Sequence, residues 1–109
     1  SITMSIYETV VIARQELSTQ QVEALSEQFS KIITDAKGKV LKTENWGLRT
    51  LAYRINKNRK GHYFLIESDV DSAAILEIER LMRLDEDVLR SHLSGDPNDP
   101  LKKFDKEAA

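Results

Sequence analysis

The order of strand-like and helix-like segments constrains the fold of this 109-residue chain more than any other feature. Residues 6–13, 39–55, 62–68 and 88–93 have the β-branched or alternating patterns typical of strands, and the segments after the first and third place apolar residues at helical spacing. The predicted order is therefore β-α-β-β-α-β. Because crossovers are right-handed, both helices are expected on one face of a four-stranded antiparallel sheet. This is the ferredoxin-like plan of the α+β class, and it leaves the other sheet face uncovered.

Both helices have recognisable limits in the sequence. Ser18 and Gln21 are spaced as a capping box, and Gly38 is expected to end the first helix in the left-handed conformation. The apolar face of this helix is predicted to consist of Val22, Leu25, Phe29, Ile32, Ile33 and Ala36. Asp71 or Ser72 is expected to cap the second helix. Its predicted buried stripe consists of Ile75, Ile78, Leu81 and Met82.

The second strand is unusually long and changes the face on which its apolar residues lie. Val40, Trp46 and Leu48 share one parity, whereas Leu51, Tyr53 and Ile55 share the other. Since side chains alternate faces along a strand, the change predicts a bulge or a strong twist, and Gly47 is the expected site. Residues 56–61, with the sequence NKNRKG, are predicted to form a polar hairpin loop closed by Gly61.

The length suits one domain, which we place at residues 1–93, followed by a flexible C-terminal tail at residues 94–109 that contains both prolines. No apolar run approaches the roughly 20 residues that a membrane-spanning helix needs. The opening residues do not have the pattern of a secretory leader, so a cytoplasmic location without membrane contact is the default expectation.

The charge distribution points to a polyanionic partner. Residues 37–62 contain eight Lys and Arg against one acid, which gives +7, while the rest of the chain carries −9. Cations bind phosphates and aromatic rings stack on bases, so this segment is predicted to contact nucleic acid. The alternative is that the cations only keep a long exposed strand from aggregating. The candidate RNA-binding residues are Lys39, Lys42, Arg49, Arg54, Lys57, Arg59, Lys60 and His62.

Other site types find little support. Cysteine is absent, only two histidines occur, and no glycine-rich phosphate loop or nucleophile motif is present. We therefore predict that the chain is not an enzyme and has no catalytic residue, metal, cofactor or small-molecule substrate. An RNA-recognition motif is also disfavoured, because Tyr63 replaces a small residue of its pattern and Glu67 its last aromatic.

The central segment resembles a known family. The run WGLRTLAYRINK at residues 46–57, followed by KGHY at 60–63, is similar to the signature of the sixth protein of the bacterial small ribosomal subunit. Arg49, Tyr53, Lys57 and Gly61 match this motif, whereas Arg54 stands where many members have proline. The resemblance covers roughly residues 6–93.

This resemblance implies a structural protein of the cytoplasmic ribosome with two partners. They are the central domain of 16S ribosomal RNA and the eighteenth protein of the small subunit. Trp46, Leu48 and Tyr53 are the residues we assign to the partner protein, although large aromatic residues in strands also pack in cores. The alternative function is a ferredoxin-like protein-interaction or regulatory module that dimerises through its open sheet face.

Overall fold

The computed structural model describes residues 4–95 and confirms the predicted order of elements. The strands pair antiparallel in the order β2-β3-β1-β4, as the ferredoxin-like plan requires. From residue 96 onward the predicted tail lies outside the described residues, and no helix within 4–95 is long and apolar enough to span a membrane. The elements are β1 (Met4–Arg14), α1 (Thr19–Asp35), β2 (Lys39–Ile55), β3 (Asn58–Asp71), α2 (Ser72–Leu84) and β4 (Val88–Ser94).

The main core lies between the two helices and one face of the sheet. Phe29 of α1 and Phe64 of β3 are almost fully buried there, and their rings stack with centroids 6.3 Å apart. Burial of apolar surface on this scale is the dominant stabilising contribution to such a fold. The other large, fully buried apolar side chains of this core are Val11, Val22, Ile33, Ile66, Val70 and Met82.

The start of α1 follows the prediction, but its end does not. The Ser18 hydroxyl accepts from the Gln21 amide at 3.1 Å while the Gln21 side chain accepts from the Ser18 amide at 2.8 Å, so the capping box is confirmed. At the other end Lys37, not Gly38, has positive φ (68°), so the prediction for Gly38 is wrong. Glycine is needed at position 38 for space, because a Cβ there would lie 2.9 Å from Val70 Cγ2.

Helix α2 begins after Asp71 and buries a slightly different stripe from the one predicted. Ile75, Ile78 and Met82 are buried, but Leu81 is 39% exposed, which contradicts its predicted burial. Adjacent residues of a helix point about 100° apart, so Leu81 turns away from the face that Met82 buries. Glu79 takes the remaining buried position, where its carboxyl accepts a hydrogen bond from the Ser91 hydroxyl at 2.5 Å.

The β2–β3 hairpin contains the predicted bulge but a much tighter turn. Asn45 pairs with Phe64 and Gly47 with Tyr63, so Trp46 is the extra residue, and Gly47 has φ +82°. The predicted six-residue loop is wrong, because only Asn56 and Lys57 form the turn.

Both turn residues have positive φ (47° and 69°), as a type I′ turn requires, and this turn matches the twist of the two strands. Strand β3 therefore starts at Asn58 rather than at His62. Gly61 lies inside β3, where a Cβ would be 2.5 Å from Ile12 Cγ2. Its role is close packing and not turn formation.

Candidate nucleic-acid interface

Four of the predicted cations line one groove. Arg54 and Lys57 reach it from the end of β2 and the turn, and Arg59 and Lys60 from the start of β3. The groove is open and encloses about 610 Å³. The remaining lining residues are Gln15, Glu16 and Leu48.

Hydrogen bonds hold the hairpin against the β1–α1 connection. The Gln15 side-chain oxygen accepts from the amides of Arg59 (3.3 Å) and Lys60 (3.1 Å), and the Gln15 amide donates to Asn58 Oδ1 at 3.0 Å. Asn58 is 7% exposed and also donates to the Asn56 carbonyl at 3.1 Å. Lys57, Arg59 and Lys60 therefore project from a backbone that these hydrogen bonds fix at the turn and the start of β3. Sequence reasoning missed Gln15, since only the fold brings it to the hairpin.

The groove is electropositive. Within residues 4–95, ion pairs form at Arg14, Lys42 and Arg80, and none involves the four groove cations. Glu16 is the one carboxylate in the groove lining, and it lies 3.7 Å from Arg14, which neutralises part of its charge. Exposed cations without partners raise the local concentration of polyanions.

A second cationic feature lies on the sheet face opposite the helices. The Arg49 guanidinium carbon is 5.2 Å from the Trp46 ring centroid and 5.7 Å from that of Tyr63. Near them Arg90 of β4 lies 5.8 Å from the Tyr53 ring and donates to its hydroxyl at 3.4 Å. All three distances from a guanidinium carbon to a ring centroid are in the range of cation–π attraction. Arg90 is not among the predicted site residues, because β4 is distant from β2 along the chain.

The other predicted RNA-binding residues are scattered. His62 is half-buried and its Nε2 has no hydrogen-bond partner among the described residues. Lys39 is exposed at the first residue of β2, and Lys42 pairs with Glu44 at 3.3 Å. The hydrogen bond that the Lys42 ammonium donates to the Glu44 carboxylate raises the pKa of Lys42. The eight candidates therefore do not form one surface.

The structure also separates the three residues assigned to a partner protein. Leu48 is 48% exposed and lines the basic groove, while half-buried Trp46 and 65%-exposed Tyr53 lie with the arginines of the open face. Neither aromatic residue belongs to the core beneath the helices.

A smaller groove between α1 and β2 has the opposite charge. It encloses about 190 Å³, and buried Val22 and Phe64 are part of its lining. Three carboxylates also line it, those of Glu23, Glu27 and Glu44. An acidic groove with apolar residues suits a basic protein segment better than a nucleic acid.

Comparisons with known proteins identify the family. The model of the family Ribosomal protein S6 matches residues 6–93. The small ribosomal subunit protein bS6 of Cereibacter sphaeroides is 59% identical over 87 residues, covering 80% of this chain and 66% of that protein. The bS6 of Paracoccus denitrificans is 60% identical over 87 residues, with the same coverage of both chains.

Solved structures give the same result. The crystal structure of 30S ribosomal protein S6 from Thermotoga maritima has a TM-score of 0.81 and 30% identity, and the match covers 97% of this chain and 98% of that one.

The match spans slightly less than two thirds of the first of these curated relatives. These relatives are named as proteins of the small ribosomal subunit, which supports the predicted ribosomal and cytoplasmic location and the prediction that the chain is not an enzyme. The model match over residues 6–93 and the identity near 60% decide the family. The chain belongs to the ribosomal protein S6 family.

Proposed function

We propose that this chain is a structural component of the bacterial small ribosomal subunit that binds the central domain of 16S ribosomal RNA together with the eighteenth small-subunit protein. One observation carries the RNA contact. Arg54, Lys57, Arg59 and Lys60 line a single groove, and none of them has a carboxylate partner within residues 4–95.

The groove suits the backbone of a folded RNA. Double-stranded RNA is recognised mostly by its shape and by phosphate and 2′-hydroxyl contacts, since its deep major groove excludes side chains. A rigid two-residue turn with cations on both sides presents charge at fixed spacing, so little conformational entropy is lost on binding. Structural RNA binding of this kind needs no catalytic group.

The partner protein is proposed to be basic and to contact the acidic groove between α1 and β2. Glu23, Glu27 and Glu44 there would attract cations and repel RNA, so the two partners would occupy different surfaces. Leu48 remains a proposed partner contact at the edge of the basic groove, where protein and RNA could meet.

Salt-dependent binding tests the RNA contact. We expect the chain to bind a 16S central-domain fragment, more tightly with the partner present, and the variant Lys57→Ala/Arg59→Ala/Lys60→Ala to bind more weakly. The slope of log affinity against log salt should fall by roughly one for each phosphate contact removed. The measurement is filter binding between 50 and 200 mM salt, a range over which phosphate contacts weaken strongly.

A matched control removes the same charge from the helix side. Lys31, Arg80 and Arg83 are exposed on α1 and α2, away from the groove lining. The triple alanine variant at these positions should keep the RNA affinity and salt slope of the unaltered chain. Equal weakening of both variants would remove the groove from the site. Salt-independent self-association without RNA affinity would instead favour the module that dimerises through its open face.

A further inference from the structure

Five residues on the open sheet face form a feature that the basic groove does not explain. Trp46, Arg49 and Tyr53 come from β2, Tyr63 from β3 and Arg90 from β4. We call this group the aromatic–arginine platform. It consists of two guanidinium groups, each held against at least one aromatic ring.

The strand register places the platform at one end of the open face. Gly47 pairs with Tyr63, which pairs with Ile12, which in turn pairs with Arg90. These pairs form one row across the sheet, and the bulge at Gly47 places Trp46 beside it. Arg49 pairs with Gly61 further along β2, toward the turn.

An apolar layer supports the platform. Ile12, Leu51 and Leu65 are each at most 8% exposed, yet they are not part of the core beneath the helices. Leu51 reaches over β3, since its Cδ2 lies 3.5 Å from where a Gly61 Cβ would be. Burial of these side chains packs this part of β2 against the sheet, and Ile12 lies between its register partners Tyr63 and Arg90.

The two arginines are available to a ligand. Within residues 4–95, neither Arg49 nor Arg90 lies within 4.0 Å of a carboxylate. Arg49 is exposed and Tyr53 is 65% exposed, so both retain surface that faces solvent. Unpaired RNA bases stack on surfaces of this kind, on aromatic rings and on guanidinium planes, while the remaining N–H groups bind phosphates or base edges.

Acidic side chains on the rest of the open sheet face limit a site for RNA to the end that carries the platform. Further along the same strands Glu8 and Glu67 are directly opposed, and like charges at such a pair repel phosphate as well as each other. Glu67, where the chain departs from the RNA-recognition motif, therefore lies at the end of the open face away from the platform. Tyr63 occupies a position of that motif, but the other four platform residues lie on β2 and β4, outside it.

We propose that the aromatic–arginine platform binds one or two unpaired RNA bases by stacking. This inference rests on the proposed function, because it takes RNA as the ligand, but it assigns a site separate from the phosphate-binding groove. It also transfers Trp46 and Tyr53 from the partner protein to RNA. A second copy of the chain is a poor occupant, since two-fold pairing of the platform would bring its arginines toward their own copies.

Fluorescence provides a direct test, because Trp46 is the only tryptophan of the chain. An adenosine RNA octamer should quench Trp46 emission in a saturable way. An abasic octamer with the same sugar–phosphate backbone should bind about tenfold more weakly and leave the emission unchanged, as base stacking contributes much of the affinity of single strands. Equal affinity and equal quenching by the two octamers would overturn the inference.

Variants separate the platform from the groove. Arg49→Lys keeps the charge but removes the planar group, so it should weaken binding of the adenosine octamer about five- to tenfold and leave the abasic octamer unaffected. Tyr53→Leu should have the same selective effect. Lys57→Ala is the control and should weaken both octamers equally. Affinities are measured by anisotropy of labelled octamers, which does not depend on Trp46 emission.

The outcomes for the two sites are distinguishable. One outcome is that Arg49→Lys and Tyr53→Leu weaken neither octamer selectively, while the triple groove variant Lys57→Ala/Arg59→Ala/Lys60→Ala binds the central-domain fragment more weakly. In that case the inference fails and the proposed function stands. If the selective effect is present but the triple groove variant binds the fragment normally, the platform is supported and the groove is not. A response of Trp46 to the purified partner protein alone, with no response to either octamer, would return Trp46 to the partner and overturn the inference.

Discussion

At the scale of single residues, Lys57 adopts a backbone conformation that lysine disfavours. It occupies the second position of the β2–β3 turn with φ +69°, a region that costs a non-glycine L-residue roughly 1–2 kcal/mol. Asn-Gly is the preferred sequence for such a turn, and the chain has Asn56-Lys57 instead. The turn departs from its preferred sequence at Lys57 without a structural gain. Such a departure indicates a functional requirement, which here is a cation at the edge of the basic groove.

Replacing Lys57 by glycine should therefore stabilise the fold and weaken the function. We expect Lys57→Gly to raise the free energy of unfolding by about 0.5–1 kcal/mol, because relief of the strained φ exceeds the entropy gained by the unfolded chain. The slope of log RNA affinity against log salt should fall by roughly one. Urea denaturation and salt-dependent RNA binding measure the two effects. Asn56→Gly is the control, with a smaller stability change and unchanged RNA affinity; loss of stability in Lys57→Gly would contradict the argument.

The glycines show how far single positions could be predicted. Gly47 could be identified as the site of the bulge because it is the one glycine in a strand whose apolar residues change parity, from Leu48 to Leu51. The sequence predicts a helix end at Gly38 and a turn at Gly61, but glycine is required at each position by a side chain distant in sequence, Val70 at the first and Ile12 at the second. A sequence shows where glycine occurs, whereas only the packed structure shows whether conformation or space demands it.

At the scale of elements, a buried polar contact joins α2 to β4. Glu79 is 5% exposed, and one of its carboxyl oxygens accepts from the Ser91 hydroxyl while the other has no partner among the described residues. A buried polar group that loses its hydrogen bond retains the full cost of desolvation. The position is otherwise apolar, since Ile75, Ile78 and Met82 form the rest of the buried stripe.

The two partners of this contact should therefore respond differently to replacement. Ser91→Ala leaves a buried carboxyl without a donor and should lower the free energy of unfolding by about 1–3 kcal/mol. Glu79→Met removes the polar group and keeps similar volume, so it should be nearly neutral or stabilising, and Ser91→Ala should cost much less in its presence. Urea denaturation of the two single variants and the double variant completes the cycle. Additive effects would show that the hydrogen bond is not the coupling between the elements.

The elements that could be predicted were those with local signals. The capping box at Ser18, the stripe of α1, most of the stripe of α2 and the bulge all depend on residues a few positions apart. The turn was predicted too long, because nothing local indicates that a lysine adopts positive φ. The contact of Tyr53 with Arg90 joins strands at opposite edges of the sheet, so spacing within one element could not reveal it.

At the scale of the whole molecule, the charges are divided between two sides. The net charge of +7 carried by residues 37–62 is concentrated in the β2–β3 hairpin. The net charge of −9 carried by the remaining chain includes the carboxylates of α1 that line the acidic groove. A net charge of −2 would suggest weak attraction to RNA, but the local field at the hairpin is positive. The acidic side would orient the protein by repelling RNA and attracting a basic partner.

Reversing charge at the acidic groove tests this orientation. Glu23→Lys/Glu27→Lys places two cations on the exposed face of α1, where both carboxylates line the groove. We expect weaker binding of the basic partner protein. Affinity for duplex RNA of unrelated sequence should rise, so the preference for the 16S central-domain fragment should shrink. Binding of the partner and of both RNAs at one fixed salt concentration measures these effects.

A control with the same change in net charge separates position from total charge. Glu77→Lys/Glu86→Lys alters two exposed residues that are not part of either groove lining. This variant should raise affinity for unrelated RNA to a similar degree, since that effect follows the overall charge, but it should keep partner binding intact because the acidic groove is unchanged. Equal loss of partner binding in both variants would mean that overall charge, and not the groove between α1 and β2, holds the partner.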